Sequence, residues 1–143
     1  MSGSKTAHGV ENVLREMISA HGGLDVVFID HLQEMVPDKP AWSGKRNYEI
    51  ENILIELRRM AREFNIPVIL AAQVGRSAEG REPALSEIKD SGSIEQIADC
   101  VMIIHGEGRG SGTRTIHVAK HRNGATGRVN LFLQGEVLKF RRD

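Results

Sequence analysis

The spacing of hydrophobic residues changes several times along this chain, and each change predicts a different element. Between His8 and His21 the apolar residues recur at helical spacing, and two glycines then provide a helix stop. Residues 24–29 form a short, mostly apolar run rich in β-branched residues, which is typical of a strand covered on both faces. A second amphipathic helix is predicted from about Asn47, and its end is marked by Asn65 and Pro67.

The order of these elements predicts parallel βαβ units. A second buried strand, "PVILAAQ", follows the second helix, whereas the stretch from His31 to Arg46 contains prolines and a glycine and is predicted to be a loop. Helix, strand, helix and strand with short connections favour a parallel sheet whose strands end at one common edge. Asp30 and Gln73 both fall at such strand ends, where open α/β sheets bind ligands.

The C-terminal part of the chain has a different pattern. A short helix around residues 94–98 leads into the strand "CVMIIH", after which alternating residues predict an antiparallel meander. The strands of this meander are "TRTIHVAKH", "RVNLFLQ" and "VLKF". The predicted fold class is therefore α/β, with a parallel sheet continuing into C-terminal antiparallel strands.

Composition limits the possible classes of protein. With 143 residues and 40% hydrophobic content the chain can bury one core, so a single domain is expected. No apolar run approaches the roughly 18 residues of a membrane span and no signal peptide is evident, so we expect a cytoplasmic protein without membrane contact. The single cysteine, Cys100, has apolar neighbours and is expected to be a small core residue.

Charge is distributed unevenly along the chain. The 19 basic and 19 acidic residues balance overall, but the segment from Gly108 to Asp143 carries +6 and the remainder −6. Such polarity suits contact with an anion or with the opposite face of another copy. Ordinary solvated surface explains it equally well.

Asp30 and Gln73 are the first candidates for chemistry. An aspartate after four apolar residues at the end of a buried strand is the Walker B pattern, whose carboxylate holds the magnesium of a bound nucleotide. By itself the pattern is weak, because many strands end on an aspartate that caps the next helix. Gln73, taken alone, is more simply explained as a strand-end residue bonded to backbone.

Four motifs together resemble a known family. They are "DHLQEM", "PVILAAQVGRS", "LSEIKDSGSIEQIADCVMII" and "VAKHRNGATGRVNLFL". In this order and spacing they resemble the motor domain of the DnaB-type replicative helicases of bacteria and phages, which has a RecA-like fold of the P-loop NTPase class. The resemblance covers roughly Gly23 to Phe140. The chain is therefore divided into an N-terminal helix in residues 1–22, predicted from its apolar spacing, and residues 23–143, which the resemblance implies are the C-terminal part of a RecA-like motor domain.

The resemblance implies ATP and Mg²⁺ as cofactors and assigns roles to the strand-end residues. Asp30 becomes the magnesium-associated carboxylate, acting through water. Gln73 becomes the residue that senses the terminal phosphate. A glutamine amide can donate a hydrogen bond to a phosphate oxygen and be released after hydrolysis, so such a residue can act as a switch.

The resemblance also implies a loop that binds single-stranded DNA. Lys89, Asp90 and Gly92 of "KDSGS" take the places of residues that grip the DNA backbone. A lysine supplies charge and a glycine allows backbone N–H groups to approach phosphate, so binding should be independent of sequence and sensitive to salt. Relatives more often have Arg-Glu where this chain has Lys89-Asp90, a change that weakens bidentate phosphate contact. Without the family, a solvated turn is an equal alternative.

Lys120 and Arg122 of "AKHRNG" match the basic pair that reaches the nucleotide of a neighbouring subunit. An arginine supplied in trans neutralises charge on the transferred phosphoryl group and makes hydrolysis depend on assembly. The resemblance thus implies self-association as a ring, which we expect to be a hexamer. From the residues alone, the pair could equally be the basic end of a hairpin facing water. The histidines show no metal-ligand spacing, so zinc is not expected.

A phosphate-binding loop is not recognisable in the sequence. "SGSKT" at residues 2–6 has the final Lys-Thr but lacks the preceding strand and the first spaced glycine. The chain therefore resembles the second half of a motor for ATP-driven translocation on single-stranded DNA and duplex unwinding, and by itself it is expected to lack ATPase activity. Two alternatives remain: a non-catalytic module that binds a helicase subunit or DNA, and another RecA-like ATPase.

Overall fold

The chain folds as two compact units. The first comprises residues 1–73 and 92–97, and the second comprises residues 74–91 and 98–143. No helix in the part of the chain that is described is long and apolar enough to cross a membrane. The computed structural model describes residues 4–39, 46–75, 82–89, 91–106 and 110–142.

Helix α1, Ala7–His21, confirms the first predicted helix and has a cap at each end. The side-chain oxygen of Thr6 accepts a hydrogen bond from the backbone N–H of Gly9, which satisfies one of the unpaired donors of the first turn. At the other end Gly22 has a φ of 80°, and its N–H donates to the carbonyl of Ile18. This left-handed conformation favours glycine, which explains why the helix stops there.

Helix α2, Arg46–Glu63, supplies more buried apolar residues than any other described element of the first unit. Its buried residues recur every three or four positions, as the sequence predicts, and they form one apolar face. Asn65, with a φ of 53°, and Pro67 follow the helix and end it. The buried residues of α2 are Ile50, Ile53, Leu54, Leu57 and Met60.

Two short parallel strands complete the first unit. Strand β1, Val27–Ile29, pairs with β2, Val68–Leu70, and Phe28 lies beside Ile69 in this register. The predicted covering of both strand faces is wrong for this chain, because Phe28 is 72% exposed and Ile69 is 44% exposed. An apolar run shows that a strand can be buried, but other elements decide which face is covered.

The segment after β1 contains a single turn of 3₁₀ helix, Leu32–Glu34, within the range predicted to lack regular structure. Leu32 is fully buried, and the amine of Lys5 lies 3.1 Å from the carboxylate of Glu34. The Lys-Thr pair of "SGSKT" therefore has structural contacts, since Thr6 caps α1. Residues 40–45 of the predicted loop lie outside the described ranges.

The second unit is built on an antiparallel meander of four strands, in the order β3-β4-β5-β6. This confirms the predicted α/β class with a parallel pair and C-terminal antiparallel strands. Within the described residues, the hydrogen bonds place the parallel pair and the meander in separate sheets. Before them, helix α3 spans Ser91–Ile97. The strands are β3 Cys100–His105, β4 Gly112–His121, β5 Gly127–Gln134 and β6 Lys139–Arg142.

Strand β3 is buried on one face only. Val101 and Ile103 are buried, whereas Cys100, Met102 and Ile104 are exposed. The prediction that Cys100 is a core residue is therefore wrong for this chain. Alternate residues of a strand point to opposite faces, so a continuous apolar run does not show that both faces are covered.

Candidate nucleotide and DNA sites

Asp30 and Gln73 both lie at the carboxyl ends of the parallel pair, and each lies beside His31. Asp30 directly follows β1, and Gln73 comes three residues after the end of β2. Beyond the strands the pairing continues, because the N–H of Ala71 donates to the carbonyl of Ile29 at 2.9 Å. The side chain of Asp30 is 89% exposed, so its carboxylate is accessible at this edge. The strand polarity read from the sequence thus brings the two predicted residues together.

Two residues that the sequence interpretation did not single out connect these strand ends. The side-chain Nε2 of Gln73 lies 3.1 Å from Nε2 of His31, and the backbone N–H of Gln73 donates to Oε1 of Gln33 at 3.2 Å. His31 also places its Nδ1 3.7 Å from Oδ1 of Asp30. Both residues belong to the motif "DHLQEM", but nothing in their spacing identifies Gln73 as their partner.

The strand-end residues fit a magnesium ion whose other ligands come from phosphate and water. In the part of the chain that the structure describes, no three histidine, cysteine, aspartate or glutamate residues group as a metal site. One exposed carboxylate, that of Asp30, is too little to hold Mg²⁺ alone. Mg²⁺ keeps several waters and is commonly bound by one or two carboxylates together with substrate phosphates. The Asp30 carboxylate can supply the protein's part of such a ligand set.

Lys120 and Arg122 lie at the end of β4, in the second unit. The amine of Lys120 donates to the carbonyl of Ala98 at 2.7 Å, and the guanidinium of Arg122 lies 3.4 Å from the carboxylate of Asp99. The backbone N–H of Arg122 also donates to the carbonyl of Asp99 at 2.8 Å. Both basic residues are therefore held against the two residues that precede β3.

In the turn after β4, Gly124 lies against the side chain of His121. A Cβ atom at Gly124 would lie 2.5 Å from Cε1 of the His121 ring, closer than real contacts allow. The His121 ring packs against this turn, and its Nδ1 lies 3.4 Å from the carbonyl of Ala125. The small residue in "RNG" therefore leaves room for the His121 ring next to Arg122.

The predicted DNA-binding loop is described only in part. Lys89 is exposed in the turn that follows Ile88, and Ile88 forms a β-bridge with Val74. Gly92 is exposed in the first turn of α3, and no atom lies within 4 Å of a Cβ built on it. No contact with the described residues therefore requires glycine at this position. Asp90 lies outside the described residues.

A further polar cluster, missed in the sequence, lies in the second unit. Both Nε and NH2 of Arg128 donate to Oε1 of Glu82, at 2.9 and 2.7 Å, and Nδ1 of His117 lies 2.9 Å from the same oxygen. The hydrogen bond from Arg128 holds the pKa of Glu82 below its ordinary value. The two partners of Glu82 lie far from it in sequence, so no local pattern indicates the cluster.

Comparison with known proteins identifies the family. The model of the DnaB-like helicase C-terminal domain matches residues 2–142. The replicative DNA helicase DnaB of Haemophilus influenzae is 34% identical over 148 residues, covering 97% of this chain and 31% of that protein. The corresponding protein of Treponema pallidum is 39% identical over 117 residues, covering 82% of this chain and 26% of that protein. The chain thus spans about a third or less of the length of these relatives.

Solved structures agree with the sequence comparisons. The ATPase domain of G40P superposes with a TM-score of 0.86 at 29% identity, covering 97% of this chain and 52% of that one. A DnaB-like replicative helicase, whose structure was described with its interactions with primase, gives a TM-score of 0.84 at 29% identity. It covers 97% of this chain and 35% of that one. Family model, relatives and structures all lead to one conclusion: this chain belongs to the family of DnaB-like helicase C-terminal domains.

Proposed function

We propose that the chain is part of the motor of a cytoplasmic replicative DNA helicase. The motor hydrolyses ATP with Mg²⁺, moves along single-stranded DNA and unwinds duplexes as a ring, which we take to be a hexamer. One observation carries the proposal most directly: Asp30 and Gln73 come together at the carboxyl edge of the parallel pair, in a chain of the DnaB-like family. The proposal also includes the division of the chain into an N-terminal helix, residues 1–22, and the C-terminal part of a motor domain, residues 23–143.

In this mechanism the strand-end residues act on the nucleotide. The carboxylate of Asp30 would hold a magnesium ion through water, and that ion would supply positive charge beside the phosphates. The side-chain amide of Gln73 donates to an oxygen of the terminal phosphate and loses this contact after hydrolysis. Because Gln73 is joined to the loop after β1 by two contacts, a change at the phosphate reaches that loop directly.

Lys120 and Arg122 act on the nucleotide of a neighbouring subunit. The Arg122 guanidinium stabilises charge developing on the transferred phosphoryl group, and Lys120 contributes a second positive charge beside it. To reach a neighbour's phosphates, Arg122 has to leave Asp99. Its 3.4 Å ion pair with Asp99 is partly exposed, so breaking it costs about 1 kcal/mol or less.

Single-stranded DNA is bound by the loop that contains Lys89, Asp90 and Gly92. Lys89 is exposed and supplies positive charge to the DNA backbone. The open surroundings of Gly92 leave room for a phosphate near the first turn of α3. This loop contacts backbone rather than bases, so the binding depends on salt and not on sequence.

A test requires a longer protein in which this chain follows a phosphate-binding loop segment, here called the loop-containing protein. We expect DNA-stimulated ATP hydrolysis by this protein and its loss in Asp30→Ala. Asp25→Ala is the matched control, because Asp25 is an exposed aspartate just before β1, away from the carboxyl edge. The 143-residue chain alone should hydrolyse ATP no faster than buffer. Hydrolysis that survives in Asp30→Ala would contradict the role of Asp30.

The open apolar strand faces favour a second candidate, a non-catalytic module that binds a helicase subunit. Phe28 and Ile69 are neighbours on one exposed face of the parallel pair, and apolar surface of this kind suits a protein partner. Under this alternative the loop-containing protein would not hydrolyse ATP, whereas the chain alone would bind a helicase subunit. Size-exclusion chromatography with a purified DnaB relative, combined with the hydrolysis assay, separates the two functions.

A further inference from the structure

The contact between His31 and Gln73 defines a hydrogen bond with one possible direction. The Nε2 atom of a glutamine amide carries two N–H donors and cannot accept, so the ring nitrogen 3.1 Å away must be the acceptor. In this arrangement the accepting Nε2 of His31 carries no proton. Only one of the two neutral forms of the ring satisfies the contact.

Asp30 favours the same form of the His31 ring. The carboxylate oxygen of Asp30 lies 3.7 Å from Nδ1, which is too long for a direct hydrogen bond. Its negative charge still favours a proton on the nearer ring nitrogen. The His31 side chain is only 25% exposed while that of Asp30 is open, so the ring is held in place between a carboxylate and an amide.

The backbone of Gln73 is held from the same loop. Gln33 accepts a hydrogen bond from the backbone N–H of Gln73, and Leu32 donates its N–H to the carbonyl of Ala71 at 2.9 Å. The loop after β1 therefore fixes where Gln73 lies. Only its side-chain amide needs a separate constraint, because the terminal torsion of glutamine is broad and roughly two-fold.

We propose that His31 is the positioning residue for Gln73. By accepting one N–H of the Gln73 amide, His31 keeps the nitrogen on a fixed side and the second N–H available as a donor. Without this acceptor the amide rotates, and its oxygen is presented to phosphate as often as its nitrogen is. The inference rests on the proposed function, because the orientation of the Gln73 amide matters only if Gln73 contacts phosphate.

Nuclear magnetic resonance on the 143-residue chain tests the hydrogen bond without any activity. At pH 8, where an ordinary imidazole is neutral, we expect the His31 ring to carry its proton on Nδ1 and none on Nε2. His31→Phe should remove the downfield shift of one Gln73 side-chain N–H, and His21→Phe should leave it unchanged. A proton on Nε2 in the unsubstituted chain would overturn the proposal, whether or not the variant folds.

Kinetics of the loop-containing protein test what the hydrogen bond does. We expect His31→Phe to lower kcat by about tenfold while KM for ATP changes less than about twofold, since loss of orientation acts on the reacting complex. In a Gln73→Ala background, His31→Phe should have no further effect. Effects that multiply would show that His31 does not act through Gln73 and would overturn the proposal.

The outcomes separate this inference from the proposed function. Absence of hydrolysis in the loop-containing protein would contradict the proposed function, and the resonance experiment would still decide the hydrogen bond. Normal hydrolysis with an unchanged kcat in His31→Phe would overturn only the role of His31. Thermal unfolding of each variant shows whether a lower kcat reflects lost structure.

Discussion

The two units of the chain hold their functional residues in different ways. In the first unit, Asp30 and Gln73 are connected through other side chains, those of His31 and Gln33, on two loops that follow adjacent parallel strands. In the second unit, the amine of Lys120 donates to the backbone carbonyl of Ala98, and the guanidinium of Arg122 pairs with the carboxylate of Asp99. The backbone N–H of Arg122 also donates to the Asp99 carbonyl. In the proposed mechanism Arg122 has to leave Asp99.

This difference explains how such a chain could depend on assembly. Under the proposed mechanism, the strand-end residues of one subunit need only the groups that position phosphate. The basic pair, which is held by contacts within its own chain, acts only when a neighbour's phosphates compete for it.

The largest expected effect concerns Arg122. In the loop-containing protein, Arg122→Ala should leave nucleotide binding nearly unchanged while lowering hydrolysis by roughly a thousandfold or more, as for other arginine fingers. Steady-state hydrolysis and equilibrium binding of ATP measure the two effects. A similar loss in both would mean that Arg122 belongs to the binding site of its own subunit.

Mixing experiments show whether Arg122 acts in trans. Subunits with Arg122→Ala mixed with Asp30→Ala subunits should regain some hydrolysis, because some interfaces then combine an intact Asp30 with an intact Arg122. Native mass measurement confirms that mixed rings form. Varying the mixing ratio distinguishes absence of rescue from a sequential ring that stalls at any inactive site.

Lys89 should have a smaller effect, confined to DNA. Lys89→Ala in the loop-containing protein should weaken binding of unrelated single strands equally and reduce the salt dependence by about one phosphate contact. Fluorescence anisotropy at several salt concentrations measures both quantities. Lys139→Ala is the matched control, an exposed lysine on β6 that should leave the slope unchanged. A loss confined to some sequences would instead indicate base recognition.

Asp99→Asn should act in the opposite direction and more weakly. Removing the negative charge weakens the ion pair that holds Arg122, so hydrolysis by the assembled ring should rise by at most about fivefold, the equivalent of about 1 kcal/mol. The backbone hydrogen bond between the two residues remains. A fall in hydrolysis would show that Asp99 positions Arg122 for the reaction, and the contrast between the units would then be wrong.

The smallest effect is the pH dependence that Arg128 gives to the second unit. Arg128 lowers the pKa of Glu82 in the folded chain, so this pair stabilises the chain above the ordinary glutamate pKa of 4.5. That stability is lost as pH falls through the lower, folded pKa. Arg128→Ala should therefore show a smaller loss of stability below pH 4.5 than the unsubstituted chain.

Urea unfolding at several pH values measures this difference. Other carboxylates that are protonated in the same range, such as Glu11 and Glu34, contribute equally to both proteins and cancel in the comparison. Arg142→Ala serves as the control, since Arg142 is an exposed arginine on the last strand. An identical pH profile for Arg128→Ala and the unsubstituted chain would show that the ion pair does not persist in solution.

Much of the fold follows from local patterns in the sequence. The apolar spacing of α2 and the glycine that ends α1 locate both helices to within a residue or two, because helix period and capping are local properties. Alternation likewise locates β4 and β5 to within a residue. The predicted last strand, "VLKF", is displaced by two residues, because β6 is Lys139–Arg142. The patterns do not predict which strand faces are buried: Phe28, Cys100 and Met102 belong to apolar runs and are exposed in this chain.

The candidate sites divide in the same way. Strand polarity alone predicts that Asp30 and Gln73 share one edge, and the structure places them there. The proposed roles of Asp30 in magnesium binding and of Gln73 in phosphate sensing rest on the family resemblance. His31 and Gln33 belong to the motif "DHLQEM", but the residue that both contact, Gln73, is about 40 positions away along the chain.

The sequence by itself determined the elements, their order and the residues at the strand ends, because hydrophobic period, helix capping and strand direction act over a few neighbouring residues. Only the tertiary structure decided which side chains meet: His31 with Gln73, Arg122 with Asp99, and Arg128 with Glu82. The tertiary structure also decided which apolar strand faces are exposed. Contacts and coverage depend on residues brought together by folding from distant positions, and no local pattern specifies them.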